Sequence, residues 1–241
     1  MKALMTQFRL AAVMMTLVFA GAVIVIAAEE AAAPESPFNG KDLTGWKLAD
    51  PKGHSEWMVG SAKIDPDKPT ELIVTKEGKE MINAKAHSLD IATEAEYGDC
   101  HIELEVMVPK GSNSGIYLEG RYEVQVLDSF GKDDSAGVGD MGAVYGKCAP
   151  KNPKFKAPGE WQTFAIDFQA PKFDADGKRT AKGKFIKIVL NGVTIIENFE
   201  VDGTTGGPFP GLKPEAAKGP LMFQGNHGAV SFRNIKVTPL K

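Results

Sequence analysis

Cysteine is almost missing from this chain of 241 residues, which carries only Cys100 and Cys148. Neither belongs to a C-x-x-C pair, so no zinc site is indicated, even with His101 beside Cys100. In an oxidising compartment the two could close a disulfide across a 48-residue separation, which the chain-entropy model values at roughly 4 kcal/mol; two unlinked buried thiols are the alternative. Runs of positive charge are also lacking. With 28 Lys and Arg against 31 Asp and Glu the net charge is −3, and no Lys/Arg cluster supplies the phosphate-neutralising footprint of a nucleic-acid binder. Nucleic acid is therefore excluded as the expected partner. Outside the first thirty residues no window holds a 3.6-residue apolar period, which disfavours a helical bundle. Neither G-x-S-x-G nor H-E-x-x-H occurs, so serine-hydrolase and zinc-protease readings have no support.

What is present begins with a processing signal. Lys2 and Arg9 precede an uncharged, almost wholly apolar stretch from Leu10 to Ala28, the pattern of a secretory segment cleaved after Ala27 or Ala28. At this length it could also remain as a membrane anchor. Either way the domain is expected to be exported, periplasmic or secreted, and a membrane contact is expected only if the segment is retained. Residues 1–28 are thus read as signal peptide or uncleaved anchor, 29–37 as linker and 38–241 as one domain.

The remainder reads as strands and turns. From Cys100 to Val108, Ile102, Leu104, Val106 and Val108 alternate with His101, Glu103, Glu105 and Met107, the period-2 pattern of a strand buried on one face. From Gly115 to Leu127 the same alternation places Ile116, Leu118, Tyr122, Val124 and Val126 opposite Tyr117, Glu119, Glu123 and Gln125. Further strands are expected at 72–75, 161–168, 185–190, 193–196, 221–223 and 230–237. Asn191-Gly192 between two apolar runs is a strong hairpin signal. With 26 Gly and 15 Pro to make turns, many short strands imply two packed antiparallel sheets. Long polar loops at 128–159 and 202–219 then cap one end and could wall a site.

Two motif look-alikes fail on context. Gly137-Val138-Gly139-Asp140-Met141-Gly142 has the G-x-G-x-x-G spacing but follows no strong strand and opens no helix. Asp174-Ala175-Asp176-Gly177-Lys178 resembles a calcium loop, yet its glycine is misplaced and no Glu closes it, so a polar hairpin tip is expected. The paired-carboxylate E-x-D-x-x-E strand of laminarinase-type glucanases is absent as well, which disfavours an ordinary retaining glycosidase. What survives is a scattered polar set. Glu103 and Glu119 read as a solvated sheet face. Glu123 and Gln125 run instead toward Asp128 and the glycine-rich loop, where binding residues collect. Tyr117, Tyr145 and Trp161 could stack on a sugar or pack in the core. Among the four histidines, His227 is accompanied by Gln224, Asn226 and Arg233. Clustered carboxylates and amide oxygens suit Ca²⁺ or Mg²⁺, but no ligand spacing identifies one.

Phe38-Asn39-Gly40 through Gly45-Trp46, Asn113-Ser114-Gly115-Ile116-Tyr117-Leu118, Tyr122 through Asp128, Gly142 through Gly146, Gly159-Glu160-Trp161 and Gly219 through Gly228 with Phe232-Arg233-Asn234-Ile235 together resemble, in order, the 3-keto-disaccharide hydrolase family. The resemblance implies an all-β, concanavalin A-like jelly-roll sandwich acting on sugars already oxidised at carbon 3. A ketone there makes the carbon 2 proton acidic, so a base can remove it, the carbon 1 group can leave, and water can add back. That chemistry needs a base, an enolate stabiliser and an acid. His227 or Glu123 is expected as base or acid, and Arg121 or Arg233 as enolate stabiliser. Gln125, Asp128, Tyr145 and Gln224 are expected to contact the sugar. Arg233 also fits a structural pair with a carboxylate. One position departs from the family: the residue before the histidine, often Asp, is Asn226 here, which removes an acid that would orient or charge His227. The expected partner is an oligosaccharide or 3-keto-glycoside. A carbohydrate-binding module without turnover is the competing class, because jelly rolls host both.

Overall fold

The structure, a computed structural model, describes residues 33–240. The signal or anchor segment and residues 29–32 of the linker lie outside them. Among the described residues no helix is long and apolar enough to cross a membrane.

Among the described residues fourteen strands follow one another: β1 (Trp46–Leu48), β2 (Trp57–Ile64), β3 (Leu72–Asn83), β4 (Ile91–Tyr97), β5 (Cys100–Met107), β6 (Asn113–Leu118), β7 (Tyr122–Leu127), β8 (Gln162–Gln169), β9 (Lys172–Phe173), β10 (Arg179–Ala181), β11 (Gly183–Leu190), β12 (Val193–Val201), β13 (Gly219–Phe223) and β14 (Val230–Pro239). They form a five-stranded sheet, β1-β4-β13-β6-β7, and a seven-stranded sheet, β12-β11-β8-β5-β14-β3-β2, with β9 and β10 as a separate ribbon. Every pairing in the two sheets is antiparallel. This is the two-sheet jelly-roll sandwich that the sequence pattern and the family resemblance imply.

The alternation on each strand decides which face is core. Ile102, Leu104 and Val106 of β5, Phe164, Ile166 and Phe168 of β8, and Ile116, Leu118, Tyr122 and Val124 of β6 and β7 are all buried in one cluster. Removing such side chains from water stabilises by roughly 1.5–3 kcal/mol each. An aromatic column spans the two sheets: Phe223 of β13 stacks on Phe232 of β14 with centroids 4.0 Å apart, and Trp46 and Trp57 continue the stack on either side. The β13–β14 connection, residues 224–229, emerges directly above this column.

Asn191 and Gly192 both take positive φ, 52° and 79°, and close the β11–β12 hairpin as expected of Asn-Gly. Asp174 Oδ1 accepts from the backbone N–H of Asp176 and Lys178, a polar turn between β9 and β10 and not a calcium loop. Gly115–Leu127, read as one run, is two strands joined at Glu119-Gly120. Strands β1, β2 and β4 escaped the alternation criterion. In β2 the register shifts between Gly60 and Ser61, and a Cβ on Gly60 would lie 2.0 Å from Thr75 O, so a bulge breaks the pattern. In β4 the buried positions Ile91, Ala92 and Thr93 are consecutive and Tyr97 stands apart, so no alternation marks the strand.

One expectation, that for Glu119, is corrected, and two open points are filled in. Cys100 and Cys148 are both free thiols, so the disulfide is not formed. Glu119 is not on a solvated face: it is 3% exposed, turned inward at the β6–β7 turn where its φ is 53°. The end of the presumed linker is tied to the domain, with Glu35 exchanging backbone bonds with Val237 and Pro37 O accepting from Trp46 Nε1.

Candidate functional site

On the outer face of the five-stranded sheet, period 2 brings Asn113, Gly115 and Tyr117 of β6 beside Glu123 and Gln125 of β7, with Tyr117 directly opposite Glu123. Gln224, just past β13, joins them. All of these but Gly115, with Tyr145, His227 and Gly206-Gly207, line a cavity of about 210 Å³. It is smaller than the usual drug-sized ligand pocket and suits one sugar ring.

Three loops complete the walls. Residues 202–219 fold over the sheet, where Phe209 packs on Ala92, Tyr117 and Met222. Within this loop Thr205 Oγ1 accepts from the Glu123 N–H at 2.6 Å. Gly206, with φ of 56°, passes so close that a Cβ there would lie 2.2 Å from Glu123 Oε2 and 2.6 Å from the Tyr117 hydroxyl. Gly115 is equally constrained from below, since its Cβ would meet Glu123 Oε1 at 2.6 Å. The two glycines form a slot for one carboxyl. The second wall is the end of the 128–159 loop, which runs along β7: Gly142 N–H donates to Gln125 O and Tyr145 N–H to Glu123 O. This leaves Tyr145 at the rim, 41% exposed.

The third wall is the turn at 224–229. Buried polar side chains pin it: Asn83 Nδ2 donates to Gly225 O and Gly228 O, Ser114 Oγ to Gln224 O, and Ser112 Oγ to Ala229 O. Asp90 Oδ1 accepts from Gly225 N–H at 2.9 Å. His227 Nδ1 bonds Asn226 Oδ1. Because an amide oxygen only accepts, Nδ1 carries the proton and Nε2 keeps its lone pair.

Glu123 is 2% exposed. Burial pushes its carboxyl up to about 7, partly offset by a hydrogen bond from Tyr117 and reinforced by the negative charge of Asp90. Tyr117 is fully buried, and burial together with the Glu123 charge holds its phenol well above the usual range. Its hydroxyl donates to Glu123 and accepts from Gln224 Nε2 at 3.1 Å. Asn113 Oδ1 is buried with no protein partner, an acceptor available to a ligand hydroxyl.

Of the residues expected from sequence, Glu123, Gln125, Tyr145, Gln224 and His227 meet at this cavity. Arg121, Asp128 and Arg233 do not. Arg121 is buried with Nη1 on Glu119 O and Nε on Lys213 O, so its charge tethers the 202–219 loop away from the pocket. Asp128 accepts from the backbone N–H of Gly111 and Phe130, closing a turn. Arg233 is on the seven-stranded sheet, where it bonds Glu105 and stacks 3.9 Å over the Trp161 ring. That is its structural-pair alternative, and it removes Trp161 from the sugar-stacking candidates. No group of three or more His, Cys, Asp or Glu side chains among the described residues is placed to hold a metal, and the cavity contains one carboxylate, a poor donor set for Ca²⁺ or Mg²⁺. Sequence reasoning missed Asn113 and Asp90. Asn113 was legible, two steps of alternation before Tyr117; Asp90 immediately precedes the unrecognised β4.

Residues 33–238 match the family described as 3-keto-alpha-glucoside-1,2-lyase-like domain. A search of curated proteins gives no match. Among solved structures, one from Parabacteroides distasonis described as a "putative glycosyl hydrolase" is 27% identical, with a TM-score of 0.64 over 86% of this chain and 84% of that one. Two others of the same description and organism are 20% and 21% identical, with TM-scores of 0.57 and 0.54, and share the fold. With a family match that runs from the first described residues to the last strand, the chain belongs to the 3-keto-alpha-glucoside-1,2-lyase-like family of carbohydrate-active jelly-roll domains.

Proposed function

We propose that the protein is an exported, periplasmic or secreted enzyme that cleaves 3-keto-glycosides by eliminating the carbon 1 group and adding water. The observation that carries this reading is the pairing of a deep carboxyl poised near neutrality, Glu123, with an imidazole whose lone pair is left free, His227, in a cavity of one-ring size.

His227 Nε2 takes the carbon 2 proton. The electrons of that C–H bond become the carbon 1–carbon 2 double bond through the enolate, whose charge develops on the carbon 3 oxygen. Protonated Glu123 donates to that oxygen, the role expected of an arginine from the sequence. The carbon 1–oxygen bond then breaks, and the leaving oxygen takes the proton from His227. Water adds its hydroxyl to carbon 1 and a proton to carbon 2, completing a net hydrolysis. A preorganised donor in a water-poor site is worth roughly 3–4 kcal/mol at such a step.

The purified domain is tested on 3-keto-glycosides and matched unoxidised glycosides, with and without chelator. Release from the keto substrates alone is expected, with Glu123→Gln and His227→Ala each lowering kcat at least about 100-fold while leaving thermal unfolding unchanged. Near-native rates in both variants would sink the assignment, loss of rate with chelator would introduce a metal, and binding without release would make the domain a lectin.

A further inference from the structure

His227 borders two spaces. Behind it, away from Glu123, lies an open groove of about 650 Å³ walled by Thr70, Lys85, Lys110, Gly111 and Ala229. The groove is a built feature. Asn83, fully buried, spends its amide on Lys85 O at 2.9 Å as well as on Gly228 O at 2.8 Å, so one side chain joins the Lys85 wall to the His227 turn. Ser112 Oγ binds Ala229 O at 2.6 Å and Lys110 N–H binds Pro69 O, fixing the opposite wall. Such preorganisation lowers the ordering cost of a ligand.

The charges in this groove do not balance locally. Glu71, its one acid, faces Lys68 at 3.5 Å, and nearby Asp128 is occupied by backbone N–H groups. Lys85 and Lys110 have no carboxylate partner among the described residues. Two unpaired lysines on facing walls give the groove a local positive potential that attracts an anion, against the chain's net charge of −3.

Resting on the reaction proposed above, we infer that the groove is the leaving-group subsite, and that it selects 3-keto-glycosides whose leaving group carries a carboxylate, such as a uronic acid. The keto ring fills the Glu123 cavity, the scissile bond passes His227, and the acidic sugar extends between Lys85 and Lys110.

Three substrates test this: a methyl 3-keto-glucoside, a neutral 3-keto-disaccharide, and a 3-keto-disaccharide with a uronate leaving sugar, each with wild type and Lys85→Gln/Lys110→Gln. Wild type is expected to show about tenfold higher kcat/KM for the uronate than for the neutral disaccharide at low salt, falling as salt rises. The double variant loses that preference and keeps its rate on the methyl glycoside. Equal treatment of both disaccharides by wild type, or an equal loss on all three substrates, overturns the subsite. If wild type releases nothing from any keto substrate, the reaction itself falls. Calorimetric titration of the uronate disaccharide then decides the groove: binding lost in the double variant retains it, and equal or absent binding removes it.

Discussion

Tyr117 and Glu123 face each other across the β6–β7 hairpin, and the phenol donates its hydrogen bond to the carboxyl while both are sealed from water. That bond favours the charged form of Glu123 and opposes the burial that lifts it. Replacing Tyr117 by Phe removes the donor, so Glu123 stays protonated to higher pH. If the protonated form is the catalytic one, kcat/KM of the wild type falls as pH rises through about 7, and Tyr117→Phe moves this limb upward by about one unit, the equivalent of a hydrogen bond to a charged group. A pH–rate profile of both proteins checks it; a limb displaced downward contradicts the assignment of Glu123 as acid.

The glycine slot makes a steric prediction. At Gly206 a methyl group would overlap Glu123 Oε2 and the Tyr117 hydroxyl, on a backbone of positive φ that costs a non-glycine residue about 1 kcal/mol. Gly206→Ala is expected to lower kcat at least tenfold by displacing the carboxyl, with a loss of stability of only about 1–2 kcal/mol. Turnover measured alongside urea unfolding separates the two effects. Unchanged turnover would mean that the Glu123 position is not critical.

Glu119 governs stability at the other end of the hairpin. Burial pushes its carboxyl to about 8, while the Arg121 charge pulls it down and Asp99 pushes it up, and neither oxygen has a hydrogen-bond partner. The folded state therefore holds a proton that the unfolded chain, with its carboxyl near 4.5, has already released. Stability is greatest below about 4.5 with respect to this group and is lost as pH rises toward 8. Glu123 adds the same sign up to about 7. Glu119→Gln carries no charge to bury, so its stability should fall much less between pH 5 and 9 than the wild type's, a difference of about a few kcal/mol. Calorimetry at several pH values measures this directly.

The face of each strand was legible because one hydrophobic side forces period 2, and Glu123 and Gln125 were reached from that alternation together with the glycine-rich loop that follows and the family resemblance. Partner geometry was not. Arg121 and Gln125 lie four residues apart on one stretch of chain, yet the turn at Glu119-Gly120 directs Arg121 to Lys213 O while Gln125 faces the cavity. Arg233 and His227 flank the start of the same strand, but Arg233 turns to Glu105 and Trp161 while His227 lines the Glu123 cavity. Charge runs show composition, whereas the choice between a solvated, paired or buried acid depends on which loop returns over it. The 202–219 loop, with no periodicity to read, decides this for Glu123, and the turn conformation decides it for Glu119.

Asn226 stands where the family resemblance leads to an Asp, and the difference has a chemical consequence. The Asn226 carbonyl fixes the His227 tautomer as well as a carboxylate would, but it offers no charge to the imidazolium that forms when Nε2 takes the substrate proton. Asn226→Asp supplies that charge at the same place. Both residues are exposed, so the interaction is screened and worth about 1 kcal/mol. The expected result is a kcat several-fold higher with KM unchanged, because the added charge acts only once the proton has moved. Asn226→Ala, which loses the acceptor altogether, should instead lower kcat by about tenfold. Steady-state kinetics on a methyl 3-keto-glucoside distinguish the three proteins. Should Asn226→Asp and Asn226→Ala both match the wild type while His227→Ala is inactive, His227 would be acting as a hydrogen-bonding group and not as the base.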